Sequence, residues 1–344
     1  FFDGRLNIGG DFYYKKTTDL FTNVDVSPIN GITSYIMNNG DMTNKGFSIS
    51  LNGYPVKTKN FRWYMSTYYS VNLNKVQTDD ARNYNLNDYL NGTAVVSGQP
   101  ISTFYSYKFL GLNPQNGAPM FDDWEDRWHL LQGKTLDEVV PMILVNSGTR
   151  DPKFSGDLNN TFTYKNWSLS LNFSYSLGSK VRLFEMYGPI INGISAAANV
   201  REEFLDRWQV PGDEKYTVYP SIISPSSPDY EHYRLHYSAP QRAVGPNSGV
   251  PAFANNVWQM YDDSDLRVVS GNYLKLQSLS LSYRLNDRLL RKTPFTQLSI
   301  SFNTHNCFTI SAKELRGQDP SQAGFADAGL SIRPSYTIGL NVSF

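Results

Sequence analysis

The last residues of the chain alternate between apolar and polar side chains. Tyr336, Ile338, Leu340, Val342 and Phe344 are apolar, and the residues between them are polar or small. Successive side chains of an extended strand point to opposite faces, so this stretch is expected to be a strand with one apolar and one polar face. The alternation alone leaves open whether the apolar face packs on a protein core or on lipid.

The same period of two recurs along the whole chain. Its clearest instance is WSLSLNFSYSL at residues 167–177, where every second residue is apolar. The other predicted strands begin near Leu6, Phe47, Phe61, Leu158, Tyr273 and Leu298. The pattern therefore predicts eight strands. In the strand from Tyr273 the phase slips by one residue at Gln277–Ser278, which predicts a β-bulge.

The connections between the predicted strands alternate between long and short. The long ones run over residues 15–46, 75–157, 178–272 and about twenty residues before the final strand; the short ones are 55–60, 165–166 and 286–297. Outer-membrane barrels have tight periplasmic turns and long extracellular loops, whereas a soluble β-sandwich has no reason to place every long connection at one end. The alternation therefore favours an all-β, antiparallel transmembrane barrel with long extracellular loops and a periplasmic C-terminus.

The dimensions of the strands agree with a barrel. Nine residues at ~3.3 Å each, tilted by ~40°, span roughly 23 Å, close to the ~25 Å apolar band of such barrels. The inward positions are mostly Ser, Thr, Asn and Gly, which suits a wide, wet lumen better than a narrow packed one. Eight strands alone could close a narrow barrel. Otherwise strands outside this chain must complete the sheet, because lipid does not tolerate open edges.

Composition excludes several other classes of protein. The 344 residues contain 31 Lys plus Arg and 31 Asp plus Glu, and this zero net charge argues against a nucleic-acid partner. Cys307 is the single cysteine, so an intrachain disulfide is impossible. No apolar run approaches the ~18 residues of a membrane-spanning helix. The chain begins at Phe1 with neither Met nor a signal-peptide pattern, so we expect a mature fragment or the later part of a longer chain.

Five segments carry a family signature. They are DFYYKKTTDLF (11–21), NNGDMTNKGFSISL (38–51), DPKFSGDLNNTFTYKNWSLSLNFSYSLG (151–178), FLDRWQVPGD (204–213) and the tail from Tyr273. In order and spacing, over essentially all 344 residues, they resemble the C-terminal part of the SusC/RagA-type TonB-dependent outer-membrane transporters. The chain departs from the family pattern at Ser282, His305 and Cys307, positions that carry no chemistry.

The resemblance implies a fold and a function. Residues 1–344 would be the C-terminal portion of the barrel, the last eight strands of about 22, with the plug domain and earlier strands outside this chain. The protein would import an oligosaccharide or peptide across a Gram-negative outer membrane of lipid and lipopolysaccharide. TonB would supply energy through the plug, and a SusD-like surface lipoprotein would close over the loops. No enzyme activity is expected. A passive porin, a structural or adhesive barrel, and more distantly a soluble lectin remain alternatives.

Aromatic residues in the long connections are the candidate substrate or lid contacts. They are Trp124, Trp128, Trp208, Tyr230, Tyr233, Tyr237 and Trp258. Aromatic rings stack on sugar faces or cover a peptide, but they also pack loops against each other or against a partner. The sequence leaves these three interpretations open. At the C-terminus, the resemblance implies that Tyr336 and Phe344 form the signal that the barrel-assembly machinery reads.

Catalytic and metal-binding motifs have weak support. The sequence lacks HExxH, a phosphate-binding Gly-rich loop and a nucleophile elbow. The acidic cluster Asp122, Asp123, Glu125 and Asp126 offers oxygen ligands for calcium but lacks the spaced D-x-D-x-D pattern, so a solvated loop is favoured. His232 and His236 have the i,i+4 spacing of a helical metal site, but the Pro-rich surroundings predict a loop. We therefore expect no cofactor.

Overall fold

The computed structural model describes residues 2, 5–25, 34–38, 40–78, 84–190, 199–222, 226, 230–237, 243–244, 250–251, 253, 256–291, 293–322 and 333–344. The strands are β1 Leu6–Thr17, β2 Phe21–Asp25, β3 Ser34–Asn38, β4 Asp41–Lys57, β5 Phe61–Gln77, β6 Thr103–Tyr107, β7 Phe109–Leu112, β8 Pro119–Phe121, β9 Leu144–Thr149, β10 Phe154–Tyr164, β11 Trp167–Leu177, β12 Lys180–Arg182, β13 Ala243–Val244, β14 Val250–Pro251, β15 Val268–Ser270, β16 Tyr273–Arg284, β17 Gln297–Ser311 and β18 Ser335–Ser343.

Short helices lie in the connections. The α-helices are α1 Leu86–Asn91, α2 Leu136–Ile143, α3 Tyr230–Leu235, α4 Val257–Asp262 and α5 Asp287–Leu290. Short 3-10 helices run over Glu125–Leu130, Gly188–Ile190, Glu202–Asp206, Asp213–Lys215, Asp265–Arg267, Lys313–Leu315 and Pro320–Gln322. Among the described residues, no helix has both the length and the apolar character needed to cross a membrane.

One large antiparallel sheet organises the chain. Its strand order is β1-β4-β5-β10-β11-β16-β17-β18, so strands that follow each other along the chain lie side by side. The eight strands predicted from alternation are confirmed. They are longer than predicted where the side chains are polar, because backbone pairing continues after the alternation ends: β4 already begins at Asp41 and pairs with Gln77.

Two local predictions within this sheet are confirmed. The strands β10 and β11 are joined by the two-residue turn Lys165–Asn166, with Lys165 in the left-handed region at φ 51°. The register of β16 shifts between Leu276 and Ser278 against β17, which is the predicted bulge. The bulge lets Leu276 and Leu279 share a face although they differ by an odd number of residues.

Four long connections leave the same end of the sheet. We call them loop A (18–40), loop B (78–153), loop C (178–272) and loop D (312–334). The short connections 58–60, 165–166 and 285–296 lie at the opposite end. Loops B and C are folded rather than extended, and they carry the small sheets β6-β9, β7-β8 and β12-β15. The sheet thus forms a wall, and the long loops form a packed assembly at one end of it.

The segment around His232 corrects the sequence-based interpretation. The flanking prolines predict a loop here. Residues 230–235 instead form helix α3, so this prediction is wrong. Helix α3 contacts α4, and Tyr230 stacks on Trp258 with ring centroids 5.9 Å apart. Tertiary packing on α4 therefore stabilises a turn of helix that the flanking prolines do not favour.

Candidate functional site at the long-loop end

One face of the wall is apolar and exposed. A single row of cross-strand partners runs through Trp63, Phe162, Leu169, Leu281, Phe302 and Ile338. Of these, Leu281 is 37% exposed, Phe302 is 38% exposed and Ile338 is 80% exposed. Water-soluble proteins rarely expose contiguous apolar patches of this extent. An exposed apolar band across successive strands is what a lipid-facing wall requires.

A hydrogen-bonded polar pair interrupts the apolar face. Asn160 is the cross-strand partner of Met65 and Leu171, so its side chain lies among apolar neighbours. Its Oδ1 accepts a hydrogen bond from Trp63 Nε1 at 3.0 Å, and the residue is 9% exposed. The Trp63 donor and the Asn160 oxygen satisfy each other, which lowers the cost of placing them on an apolar surface.

The opposite face of the wall is a net of short polar side chains. Asn172 donates to Ser278 Oγ at 2.8 Å, and Ser280 donates to Asn303 Oδ1 at 2.7 Å. Near the long-loop end, Tyr13 Oη donates to Asn72 Oδ1 at 3.0 Å. These groups remain hydrogen-bonded to each other while keeping further donors and acceptors for water. The face therefore suits a hydrated interior.

Loops B and C share one hydrophobic core. It contains Tyr89, Tyr105, Leu131 and Val139 from loop B, and Tyr187, Phe204 and Met260 from loop C, together with other buried residues of both loops. Edge-on aromatic pairs are frequent: Tyr187 lies 5.1 Å from Phe204 and 5.5 Å from Tyr261, measured between ring centroids. Because both loops contribute to one core, they form a single packed unit over the end of the wall.

Four of the aromatics proposed from the sequence lie inside this packed unit. Trp208, Tyr230, Tyr237 and Trp258 are between 4% and 8% exposed. The hydroxyl of Tyr237 accepts from Phe121 N at 3.0 Å and donates to Phe121 O at 3.1 Å. Trp258 Nε1 donates to Ser221 O at 3.3 Å. In this arrangement these four side chains hold the loops together.

The other candidate aromatics are differently placed. Trp124 and Trp128 are half-buried at the edge of the core, and the Arg127 guanidinium carbon lies 4.2 Å from the centroid of the Trp124 ring. The side chain of Tyr233 lies outside the described residues. At the end of the wall, Tyr336 is 68% exposed and Phe344 is 85% exposed. Trp124 and Trp128 are thus the loop candidates that still present ring surface to solvent.

Two carboxylates of the acidic cluster, Asp122 and Asp123, have internal partners. Both carboxylate oxygens of Asp122 accept from Arg127 Nη2, at 2.6 and 2.5 Å. Asp123 accepts from Glu125 N at 3.0 Å, and its other oxygen lies 3.1 Å from His236 Nε2. In the part of the chain that the structure describes, no three His, Cys, Asp or Glu side chains are grouped to hold a metal ion.

A buried cation, which sequence reasoning missed, joins the two large loops. Arg182 of β12 is 7% exposed, and its Nη2 donates to Tyr105 O at 2.8 Å, Ser106 Oγ at 3.1 Å and Leu90 O at 3.2 Å, all in loop B. Its Nε lies 3.7 Å from Asp263 Oδ1 in loop C. A planar guanidinium can satisfy several acceptors at once, so Arg182 fixes loop C against the backbone of loop B.

Neighbouring carboxylates complete this buried network. Asp262 accepts backbone N–H groups of Met186, Tyr187 and Gly188 at 2.8, 2.8 and 2.9 Å, which compensates for its complete burial. Burial raises the pKa of Asp263 to about 6, although the positive charge of Arg182 acts in the opposite direction. The network therefore couples the packing of the loops to the protonation of one carboxyl group.

Loop D is attached to both the loops and the wall. Gln318 donates to Arg182 O at 3.0 Å and accepts from Phe184 N at 3.0 Å. Lys275 of β16, on the polar face of the wall, forms a buried ion pair with Asp319 at 2.9 Å. Loop D is thus held against loop C and against the polar face at the same time.

The chain matches TonB-dependent receptors along its whole length. It is 24% identical over 372 residues to TonB-dependent receptor P3 of Formosa agariphila and 23% identical over 400 residues to receptor P39 of the same organism; both alignments cover all of this chain. It is 27% identical over 205 residues to TonB-dependent receptor SusC of Bacteroides thetaiotaomicron, covering 56% of this chain. The resemblance to SusC/RagA-type TonB-dependent transporters is confirmed. No protein-family model matches the chain.

A solved structure shows the same fold. The RagAB peptide transporter superposes on the whole chain with a TM-score of 0.70 at 20% identity, and its open-open state gives 0.67. The chain spans about a third of the length of the curated relatives it matches, 33% of receptor P3 and 34% of receptor P39. The large antiparallel sheet with its long loops is therefore a recurring part of a longer architecture.

Proposed function

We propose that this chain forms part of the wall and the outer loops of a β-barrel that imports a nutrient across the outer membrane of a Gram-negative bacterium. The observation that carries the proposal is the eight-stranded antiparallel sheet with an exposed apolar face, a polar opposite face and all long connections at one end. The match to TonB-dependent receptors supports active transport as the activity.

In this proposal residues 1–344 are the C-terminal portion of the barrel. The strands β1 and β18 are the two edges of the sheet. A sheet edge in lipid must be paired, because no water is present to satisfy its backbone groups. Further strands therefore pair with β1 and β18, and the plug domain that contacts TonB also lies outside residues 1–344.

The proposed orientation places the long loops outside the cell and the C-terminus in the periplasm. Lys134 in loop B and Lys59 in the short β4–β5 turn are reporters at opposite ends of the wall. With Cys307→Ser as background, Lys134→Cys should react with a membrane-impermeant maleimide on intact cells. Lys59→Cys should react only after the outer membrane is permeabilised. The reverse pattern would invert the orientation.

The proposed cargo is an oligosaccharide or peptide, held beneath a SusD-like surface lipoprotein that closes over loops B and C. Closure is driven by the cargo if it binds the closed state more tightly than the open one. The half-buried rings of Trp124 and Trp128 are the candidate contacts to cargo or lipoprotein, because they still present surface to solvent. The buried Trp208, Tyr230, Tyr237 and Trp258 would act indirectly, by shaping the loops.

Uptake measurements test the transport activity. Cells that carry the protein should accumulate labelled oligosaccharides or peptides above the passive level, and collapse of the proton-motive force should remove that accumulation. Uptake that survives uncoupling would instead indicate a passive porin. Absence of uptake in every condition, with the protein correctly in the membrane, would indicate a structural or adhesive barrel.

Tyr336 and Phe344 are proposed as the barrel-assembly signal. Both rings are exposed, and Phe344 contacts only the edge of Phe295 among the described aromatic rings, at 5.3 Å between centroids. Removal of Phe344 should lower the amount of protein in the membrane and leave the molecules that do assemble with normal stability. Unchanged membrane levels would refute this role.

A further inference from the structure

Three exposed lysines lie on the apolar face of the wall, at its long-loop end. They are Lys16 of β1, Lys45 of β4 and Lys75 of β5, and we call them the lysine triad. Tyr14 and Leu73 are the cross-strand partners of Lys45. Lys16 and Lys75 follow these two residues at a spacing of two, so all three lysines share the apolar face. The transport proposal makes no use of their charges.

The register of the sheet brings the three lysines close to one another. Lys45 is the diagonal neighbour of Lys16 across one strand pair and of Lys75 across the next, and such neighbours lie about 7–8 Å apart. Thr43 pairs with both Lys16 and Lys75, which places these two lysines two strand spacings, or about 10 Å, apart. Because the ammonium groups sit on flexible four-carbon stems, all three can reach the same anionic group.

The lysine triad carries more positive charge than its carboxylate neighbour can neutralise. Lys16 Nζ lies 2.8 Å from Asp41 Oδ2, and the two side chains are 50% and 34% exposed. An exposed ion pair of this kind contributes little free energy, so Lys16 can exchange it for another anion. Among the described residues, Lys45 and Lys75 form no ion pair, and neither does the exposed Asp19 of loop A. The triad and Asp41 together therefore carry two net positive charges.

The lysines are confined to three neighbouring strands. In β1, β4 and β5 each lysine stands two residues outward from the last apolar residue of the face, which is Tyr14, Phe47 or Leu73. The corresponding residues of β10, β11, β16, β17 and β18 are Pro152, Ser179, Asn272, Ala312 and Pro334. A general girdle of interfacial cations would extend over all eight strands. The triad is instead a local patch of charge.

Below the triad, large side chains offer a surface for hydrocarbon chains. Phe12 is 79% exposed, and its cross-strand partner Phe47 is 39% exposed. Tyr14 and Leu73, beside Lys45, are 63% and 44% exposed. A ligand that matches both parts of this surface has an anionic head beside the lysines and apolar chains along the rings. That description fits an anionic lipid.

We propose that the lysine triad binds the phosphate groups of lipid A, the phosphorylated and acylated glucosamine disaccharide of lipopolysaccharide. The proposal rests on the proposed function, which places the long-loop end in the outer leaflet of a Gram-negative outer membrane. The lysine ammonium groups donate to the phosphate oxygens, and the acyl chains pack on Phe12 and Phe47. A strand that pairs with the backbone edge of β1 leaves this face open to lipid.

The test uses the whole transporter, purified in detergent and freed of bound lipid. Native mass spectrometry measures binding of lipid A, of lipid A with its phosphates removed, and of phosphatidylglycerol. Lipid A should bind most tightly, and Lys45→Gln and Lys75→Gln should each weaken its binding about fivefold, the effect of one cation at an anionic lipid surface. Both residues are exposed, so neither substitution disturbs a packed core.

Two further lysines serve as matched controls. Lys15 is exposed and adjacent to Lys16 in β1, but it pairs with Asn44 on the polar face. Lys59 lies in the short turn at the opposite end of the wall. Lys15→Gln and Lys59→Gln each remove the same charge as the test variants and should leave the binding of lipid A unchanged.

Four results would overturn the proposal. Unchanged binding of lipid A in Lys45→Gln and Lys75→Gln, or an equal loss in Lys15→Gln, would place the lipid elsewhere. Equal binding of lipid A without phosphates would show that the phosphates are not recognised. Equal binding of phosphatidylglycerol would indicate a surface for any anionic lipid. Displacement of lipid A by inorganic phosphate would indicate a site for the free anion.

Failure of this proposal is distinguishable from failure of the transport proposal. The binding measurement needs neither cargo nor TonB, and the uptake measurement needs no lipid selectivity. Energy-dependent uptake without selective binding of lipid A overturns the lipid site alone. Selective binding at the triad without any uptake overturns transport alone.

Discussion

The apolar face of the wall yields the sharpest prediction, because it can be tested without knowing the cargo. Ile338 is 80% exposed, pairs with Phe302, and lies one residue from Gly339 at the middle of β18. The neighbouring Asn341 lies on the polar face, opposite Ser299. Ile338→Lys therefore places a charge in lipid, whereas Asn341→Lys places the same charge in the hydrated interior.

The depth of Ile338 in the bilayer sets the free-energy cost of placing a Lys there. One residue of rise along a strand tilted by ~40° corresponds to about 2.5 Å, so the side chain lies near the bilayer midplane. A Lys on the lipid face of a barrel at that depth costs about 2–4 kcal/mol, falling to about 0–1 kcal/mol near the interfaces. This lowers the folding equilibrium constant by about 30-fold to 700-fold. Leu171→Lys, one residue from the centre of β11, should cost a similar amount.

The assay is folding of the whole barrel protein into lipid vesicles across a urea series. Folded molecules are recognised by their heat-dependent migration on a denaturing gel. Ile338→Lys and Leu171→Lys should shift the midpoint to lower urea, and Asn341→Lys and Ser170→Lys should stay close to the unmodified protein. Ser170 loses at most its 3.2 Å hydroxyl contact with Thr161, worth about 1 kcal/mol.

Equal tolerance on the two faces would refute the lipid-facing assignment. Equal intolerance would refute it as well, because it would mean that both faces are packed against protein. Only a difference that follows the alternation of the strand supports the interpretation.

Three further predictions concern the loop assembly. Arg182→Met leaves the Tyr105 and Leu90 carbonyls without their donor and should destabilise the assembly by about 3–5 kcal/mol, seen as faster hydrogen exchange at residues 103–107. Because burial raises the pKa of Asp263 to about 6, its contribution to stability is greatest below pH ~4 and is lost as the pH rises through about 6, so the protection factors of the same segment, corrected for the intrinsic pH dependence of exchange, should fall over that range. Gly117→Ala should cost about 1–3 kcal/mol, because Gly117 has φ +70° and a Cβ there would lie 2.4 Å from the Trp208 ring.

Each of these predictions has its own contradicting result. Unchanged exchange at 103–107 in Arg182→Met would mean that loops B and C are held together without the guanidinium. An Asp263→Asn variant that keeps the full pH dependence would assign the titration to another group. Normal protease resistance of residues 209–213 in Gly117→Ala would show that the Trp208 ring moves aside at no cost.

The eight strands of the wall could be predicted from the sequence because the patterns that specify them are local. The period of two, the two-residue turn after Tyr164 and the slip at Gln277 are each visible within a dozen residues. Register then follows from the turns, since one residue of slip would move every apolar side chain to the polar face.

The loop helices were missed although a local signal existed. Helix α2 begins after Thr135, whose backbone N–H donates to the Glu138 carboxylate at 2.9 Å, and Asn85 and Asp88 form the same capping box at α1. A residue of the Ser/Thr/Asn class followed three positions later by an acidic residue predicts a helix start. Both signals lie in the connection between β5 and β10, where the alternation of period two predicts only a long loop.

The core that loops B and C share could not be predicted from a single sequence. Arg182 and Asp263 are charged residues in long connections, where solvated side chains are the usual outcome. Nothing local marks them as a buried pair, because their burial depends on how loops B and C meet. For the same reason the sequence could not choose between core, partner and cargo for Trp208, Tyr230, Tyr237 and Trp258.

The tight turn at Lys165–Asn166 has a consequence for the order of assembly. Loop B precedes the β10–β11 hairpin in the chain and loop C follows it. Their shared core is therefore a contact between distant parts of the chain. Such contacts form late unless a nearby structure first shortens the distance between them. A two-residue hairpin closes quickly and brings the bases of both loops together. We expect closure of this hairpin to precede formation of the core that loops B and C share: until it closes, the aromatic side chains of both loops stay exposed.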